Sequence, residues 1–300
     1  MPQFFDEAHC RATVGMDAAI AAMRDAFARQ AQERVVNIPR MRAKALGKSL
    51  NVTGASDATQ DRYAVKIYGG GNFHILLYSR TEGLLAIMEA DWLGQLRTGA
   101  TNALAASLMA RPGAAKVGLI GAGRQALAQV LGLQAAGLVS ELVVHARRRE
   151  AGEAFCKKIS GLIGAHIRCA ETAEDAARDA DIIVTATTSE TPVLRREWLR
   201  AGAHLNAMGA NAASRMELDP AIVADATLLA TDDVAQARKE AAEFLSFGER
   251  FDWTRVQPLS GLVATAPLRD PQGLSLFKSL GAGLEDLAIA SLLYDMSNAA

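Results

Sequence analysis

The sequence predicts an α/β protein in which a doubly wound parallel sheet interrupts a region built on an antiparallel sheet. Three observations predict it. From Lys116 onward, short apolar strand-like runs alternate with helical segments. Before Pro112-Gly113, strand-like runs follow one another across short polar turns. After Phe251 the pattern loosens and then closes on a helix. With 300 residues, half of them hydrophobic, the chain is long enough for two ordinary domains with a substantial core.

In chain order, Asp17 opens a helix that carries Ile20, Met23 and Phe27 on one face and runs to about Glu33. Leu50 to Thr53, Tyr63 to Tyr68, Ile75 to Tyr78 and Leu84 to Met88 read as strands, the last two flanking the turn Ser79 to Gly83. Asp91 can cap a helix bearing Leu93, Leu96, Leu104 and Leu108, which stops at Arg111 because Pro112 cannot continue it. Six strands follow: Lys116 to Gly121, Glu141 to His145, His166 to Cys169, Asp181 to Ala186, His204 to Met208 and Thr227 to Thr231. Phe277 to Met296 reads as a terminal helix expected to rejoin the first region. The resulting division is residues 1–113 with 270–300 in one domain and 114–269 in the other.

The turn Gly121-Ala122-Gly123-Arg124-Gln125-Ala126 joins the first of those strands to an apolar-patterned helix, Leu127 to Ala136. In a dinucleotide-binding unit the first Gly makes the tight turn, the second lets the backbone approach the pyrophosphate, and a small third residue permits close helix packing. This predicts a Rossmann domain with a nicotinamide dinucleotide at the helix N-terminus. The second strand ends in Val144-His145-Ala146-Arg147-Arg148-Arg149, without the acid that usually receives the ribose hydroxyls of NAD. Ala146 leaves room for a 2′-phosphate, and Arg147 or Arg148 can pair with it. NADP(H) is therefore favoured, with NAD(H) still open; a solvated basic turn is the plainer alternative. Thr187, at the end of the fourth strand, is a further candidate for the ribose or nicotinamide side.

Composition excludes other classes. A net charge of −1, with no basic block beyond Arg147 to Arg149, gives no footprint for nucleic acid or an anionic membrane. The uncharged run Gln125 to Ser140 is too short for a membrane span, and Met1 to Cys10 lacks the apolar core of a secretory signal. Three cysteines without CxxC spacing argue against a disulfide framework or a zinc site, and the five histidines show no ligand spacing. A cytoplasmic, metal-free protein with a small-molecule ligand is expected. Gly47-Lys48-Ser49 lacks the first glycine of a P-loop, and no GxSxG elbow is present.

Taken together, Ile38-Pro39-Arg40, Arg62 to Lys66, Leu96-Arg97-Thr98-Gly99-Ala100, the GAGRQA turn, Leu205 to Asn211, Glu217-Leu218-Asp219 and Phe277-Lys278-Ser279-Leu280-Gly281 resemble the ornithine cyclodeaminase and mu-crystallin family across most of the chain. The resemblance implies a Rossmann domain inserted into an α+β substrate domain made from both chain ends, dimerising through the latter. It also implies an amino or cyclic imino acid whose carboxylate is held by basic side chains, at positions matching Arg40, Lys66 and Arg97; Arg42 is an alternative match for Arg40. By the logic of strand ends, Met208 and Gly209 after the fifth strand, and Ser279 from the other domain, are further candidates to meet the nicotinamide. Asn211 stands where cyclodeaminating relatives carry an aspartate, and it cannot accept the proton of a substrate amine. That favours reduction of a cyclic ketimine, such as pyrroline-2-carboxylate or piperideine-2-carboxylate, over cyclodeamination. An amino-acid dehydrogenase, then an ornithine cyclodeaminase, and an NADPH- and ligand-binding protein without turnover remain the alternatives.

Overall fold

Two sheets, each with its own core, account for the architecture. The structure, a computed structural model, describes residues 1–45 and 47–299. The chain forms two units, Met1–Thr101 with Gly281–Ala300, and Asn102–Leu280.

The first unit contains β1 (Gln3–Phe5), α1 (Glu7–Thr13), α2 (Met16–Ala31), β2 (Val35–Ala45), β3 (Lys48–Asp57), β4 (Arg62–Gly69), β5 (Asn72–Ser79) and β6 (Gly83–Glu89). They form a six-stranded sheet in the order β1-β6-β5-β4-β3-β2. The expected antiparallel meander is present, and β1 adds a parallel edge beside β6. Two strands escape sequence reading. β1 has only three residues, and β2 contains Pro39, which ordinarily demotes a strand. Here Pro39 falls where the β2–β3 register shifts, between Ile38 and Met41, so the missing N–H costs no regular ladder bond. Because side chains alternate across a sheet, Thr53 and Lys66, paired directly across β3 and β4, share the inward face. That face is covered by the terminal helix Gly283–Asn298, which also packs on α2.

The boundary between units falls within α3 (Asp91–Met109). The second unit carries β7 (Lys116–Ile120), α4 (Ala126–Ala135), β8 (Glu141–His145), α5 (Arg149–Ile159), β9 (His166–Cys169), β10 (Ile182–Thr185), β11 (His204–Ala207), β12 (Ala226–Thr231), β13 (Val256–Pro258) and β14 (Leu274–Lys278). Its sheet is parallel throughout, in the order β13-β12-β14-β11-β10-β7-β8-β9. Val143 and Ile183 face one hydrophobic layer, while Leu142, Val144, Ile182 and Val184 face the other. A sheet buried on both faces explains why these runs are continuously apolar.

One stretch departs from expectation. Phe277 and Lys278 end a strand, and the terminal helix begins only at Gly283. β14 sits between β11 and β12, so residues 274–280 belong to the second unit, whereas the sequence division placed them in the first. Backbone pairing with two neighbours outweighs the helical look of the segment.

Candidate functional site

In the second unit the strand order reverses beside β7, with β8 on one side and β10 on the other. Parallel sheets of this kind bind ligands in the crevice beyond the carboxyl ends of the strands at such a point. The turn after β7 is shaped for it. Gly121 has φ 108°, and a Cβ there would sit 2.5 Å from the Ala186 carbonyl oxygen that follows β10. A Cβ on Gly123, by contrast, would meet nothing within 4 Å. A cavity of ≈ 410 Å³ opens here, lined among others by Gly121, Gly123, Ala146, Arg147, Arg148 and Thr187. A dinucleotide's phosphates and adenosine fit this surface, since backbone can approach at Gly123 and cations stand beside Ala146. Arg147 and Arg148 are exposed, while Arg149 turns away to Glu153, at 2.8 Å, and Glu171.

The other expected cofactor residues lie elsewhere in the unit. Arg124 and Gln125 close the turn but do not line the cavity. Met208 is packed in a hydrophobic layer. Gly209 is half-buried after β11. Ser279 is buried, accepting from Asn102 Nδ2 at 3.3 Å and donating to Asp232 Oδ2 at 3.4 Å. Asn211 is half-buried in the loop after β11.

Glu217, quoted at the sequence level only as part of a motif, organises these loops. Its carboxylate is fully buried. Oε1 accepts from Thr187 N at 2.7 Å and from Thr187 Oγ1 at 2.8 Å. Oε2 accepts from Gly209 N at 2.7 Å and Ala210 N at 3.0 Å. Glu217 N in turn donates to Glu243, which forms a fully buried ion pair of 2.9 Å with Lys278. One carboxylate thus clamps the loops after β10 and β11, and the adjoining pair anchors the end of β14.

In the first unit a second cluster gathers three cations and two acids. Lys66 Nζ lies 3.1 Å from Asp286 Oδ1. Arg97 Nη1 donates to Glu285 at 2.6 Å, and its Nε lies 3.1 Å from the same Asp286 oxygen. Arg40 Nη2 donates to the Gly281 carbonyl at 3.0 Å. Gly281, at φ 81°, makes room for this: a Cβ there would sit 2.6 Å from Arg97 Nη1. Burial pushes the Lys66 ammonium down to about 8; Asp286 opposes that shift, and the charges of Arg97 and Arg40 add to it. For Asp286, burial acts upward, but Arg97 and Lys66, with the Thr53 hydroxyl, outweigh it and hold the carboxyl below its ordinary range. The cluster brings Arg40, Lys66 and Arg97 together. It adds Glu285 and Asp286, whose sequence distance from their partners leaves no local signal.

Among the described residues no group of His, Cys, Asp and Glu is placed to hold a metal ion, and no helix is long and apolar enough to cross a membrane. A glycine turn at the reversal point of a parallel sheet defines the class, the dinucleotide-binding α/β proteins. Within it, the chain belongs to the ornithine cyclodeaminase/mu-crystallin family, whose sequence profile matches residues 4–300. The chain is 32% identical to the ketimine reductase mu-crystallin of Mus musculus, over 74% of this chain and 68% of that one. It is 29% identical to a Δ(1)-pyrroline-2-carboxylate reductase of Bacillus cereus, over 70% of this chain and 66% of that one. Among solved structures it is similar to the iminosuccinate reductase of Paracoccus denitrificans in complex with NAD+, with a TM-score of 0.89 and 25% identity over 99% of this chain and 97% of that one.

Proposed function

We propose that the protein is an NAD(P)H-dependent reductase of small cyclic ketimino acids, of the pyrroline-2-carboxylate or piperideine-2-carboxylate type. The observation that carries this reading is the convergence of three basic side chains, two of them buried, in one cluster. Arg40, Lys66 and Arg97 stand together beside Glu285 and Asp286, the Lys66 ammonium buried and its proton affinity lowered. Guanidinium groups pair with carboxylates through charge-assisted, often bidentate bonds, so the cluster suits a small carboxylate. Relatives that reduce C=N bonds support the reaction class.

When bound, the dinucleotide supplies the hydride that adds to the C=N carbon. Arg97 and Arg40 hold the carboxylate, and Arg97 keeps its guanidinium plane fixed through Glu285 and Asp286. Lys66 Nζ, held by Asp286, delivers a proton to the imine nitrogen and is suited to that by its lowered affinity for protons. Asn211 offers hydrogen bonds and no base, which favours reduction over loss of ammonia. Gly121, Gly123, Thr187 and the Glu217-held loops cradle the cofactor, and Arg147 with Arg148 selects the 2′-phosphate of NADPH over NADH.

The first unit also presents Val36, Ile38, Met41, Leu50, Tyr63 and Ile67, all exposed, on the outward face of β2, β3 and β4. A second copy covering this face gives the homodimer. The deciding experiment follows nicotinamide absorbance with both cofactors against the two cyclic imines, pyruvate with amines, and ornithine in reverse. Turnover of a cyclic imine supports the reading. Turnover confined to pyruvate and amine would replace it with an amino-acid dehydrogenase, proline formed from ornithine with a cyclodeaminase, and cofactor binding without turnover with a binding protein.

A further inference from the structure

Two cysteines, separated by thirteen positions in sequence, meet at the edge of the second unit. Cys156 lies on α5 and Cys169 is the last residue of the edge strand β9; their Sγ atoms are 2.6 Å apart. Both are thiols, Cys169 exposed and Cys156 half-buried. Cys10, by contrast, is buried, its thiol directed at the carbonyls of Phe5 and Glu89. The elements that carry the pair also border the nucleotide cavity. Arg148 immediately precedes α5, and Ala151 within α5 lines the cavity with Arg147 and Arg148. Just beyond Cys169, Ala170 receives the His145 ring nitrogen at 3.4 Å, and Ala173 lines the cavity from that side.

We propose that Cys156 and Cys169 form a reversible oxidation site for low-molecular-weight disulfides, and that the resulting staple of α5 to β9 tightens nucleotide binding. The tightening rests on the nucleotide reading above; the staple itself does not. In the first step the exposed Cys169 loses its proton and its sulfur attacks one sulfur of the small disulfide. That disulfide bond breaks, a mixed disulfide forms on Cys169, and one small thiolate leaves and takes up a proton. In the second step Cys156 loses its proton and attacks the Cys169 sulfur, expelling the second small thiol. Two protein thiols are oxidised to one disulfide, and the small disulfide is reduced to two thiols. Burial pushes the Cys156 thiol up, with the hydrogen bond to Cys169 adding to the effect, which leaves Cys169 to lead the attack. Binding tightens because the helix that carries the basic turn is held in its bound position before the ligand arrives.

The test uses the full chain. Protein reduced and then incubated with oxidised glutathione is quenched in acid, alkylated after unfolding, and mapped by mass spectrometry. The expected product links the peptides of Cys156 and Cys169, reverts with dithiothreitol, and leaves Cys10 alkylatable. Cys156→Ser stops at a mixed disulfide on Cys169, which shows the order of attack without requiring the variant to be stable on oxidation. A persistent mixed disulfide in the unaltered chain, or two thiols that stay alkylatable, overturns the site. The oxidised form is then expected to bind NADPH a few-fold more tightly than the reduced form, and Cys156→Ser to show no such change. Equal or weaker binding by a chain shown to carry the disulfide overturns the coupling. Failure of both forms to bind any nicotinamide dinucleotide refutes the nucleotide reading instead, and the mass map distinguishes the two failures.

Discussion

Replacing Glu217 by Gln keeps the shape of the side chain and removes one acceptor from a site where four donors converge. The amide has two orientations, and the structure decides between them. With its NH₂ at the Oε2 position it would face the N–H groups of Gly209 and Ala210; Gly209 keeps a bond to the Thr185 carbonyl at 3.2 Å, but buried Ala210 has no other acceptor. With its NH₂ at the Oε1 position, the Thr187 hydroxyl can rotate to accept from it, and only the half-buried Thr187 N–H loses its partner. The second orientation is the less costly. It forfeits one charge-assisted bond, worth about 1.5–3 kcal/mol, and weakens the others, while relief from burying a carboxylate returns part of the loss. A net destabilisation of about 2–3 kcal/mol is expected. Urea unfolding monitored by circular dichroism measures it. Glu217→Ala is expected to lose more, because Ala210 is then stranded as well. A Glu217→Gln chain within about 0.5 kcal/mol of the parent would show that the carboxylate does not clamp these loops.

Other expectations address the proposed chemistry and the core. With Lys66 as proton donor, kcat/KM for imine reduction should hold below pH about 8 and fall above it with loss of one proton, since a lysine acts as an acid only while charged. Lys66→Met should abolish that limb and lower turnover by about 10²–10⁴-fold; an unchanged pH profile would remove Lys66 from the reaction. Changing Arg147 and Arg148 together to Ala should weaken NADPH by roughly 10–100-fold, as expected for lost charge-assisted bonds, and leave NADH nearly unaffected, as read by fluorescence titration. Equal losses would mean that the turn does not sense the 2′-phosphate. His204 is fully buried between Ser275 Oγ and Asn206 Oδ1, and burial pushes it down to about 4. Its folded value lies below the unfolded 6.5, so the unfolded chain binds the proton first as pH falls. The stability it contributes is complete above 6.5 and lost toward 4, amounting to about 3 kcal/mol. Urea midpoints near neutrality and at about pH 4.5 should separate less in His204→Gln than in the parent; equal separation would assign the acid sensitivity elsewhere.

The parts of the fold legible in sequence are those whose causes are local. Strands such as β7, β8 and β10 are announced by continuous apolar runs between helical segments, and the turn at Gly121 by a conformation that favours glycine. Arg147 and Arg148 are legible for the same reason, because they stand at the end of a recognisable strand. β14 is hidden because Lys278, a residue that normally signals solvent, is fully buried against Glu243, a partner thirty-five positions earlier in sequence. The same holds for the acids. Asp286 is 220 positions from Lys66, Glu285 is 188 from Arg97, and Glu217 reaches Thr187 and Gly209 only through the packing of separate strands. Resemblance supplied Lys66 and Arg97, but only the fold shows what holds them.

The placement of β14 bears on how the chain is made. Synthesis delivers β11 and β12 well before the strand that separates them, so the growing sheet carries two unpaired inner edges until Lys278 emerges. The helix that covers the inward face of the other sheet comes later still. Neither sheet can therefore complete its pairing and its cover until the residues from Leu274 onward have been made. A ribosome stalled before Leu274 would hold two open sheets, a prime target for chaperones and for association with neighbouring chains.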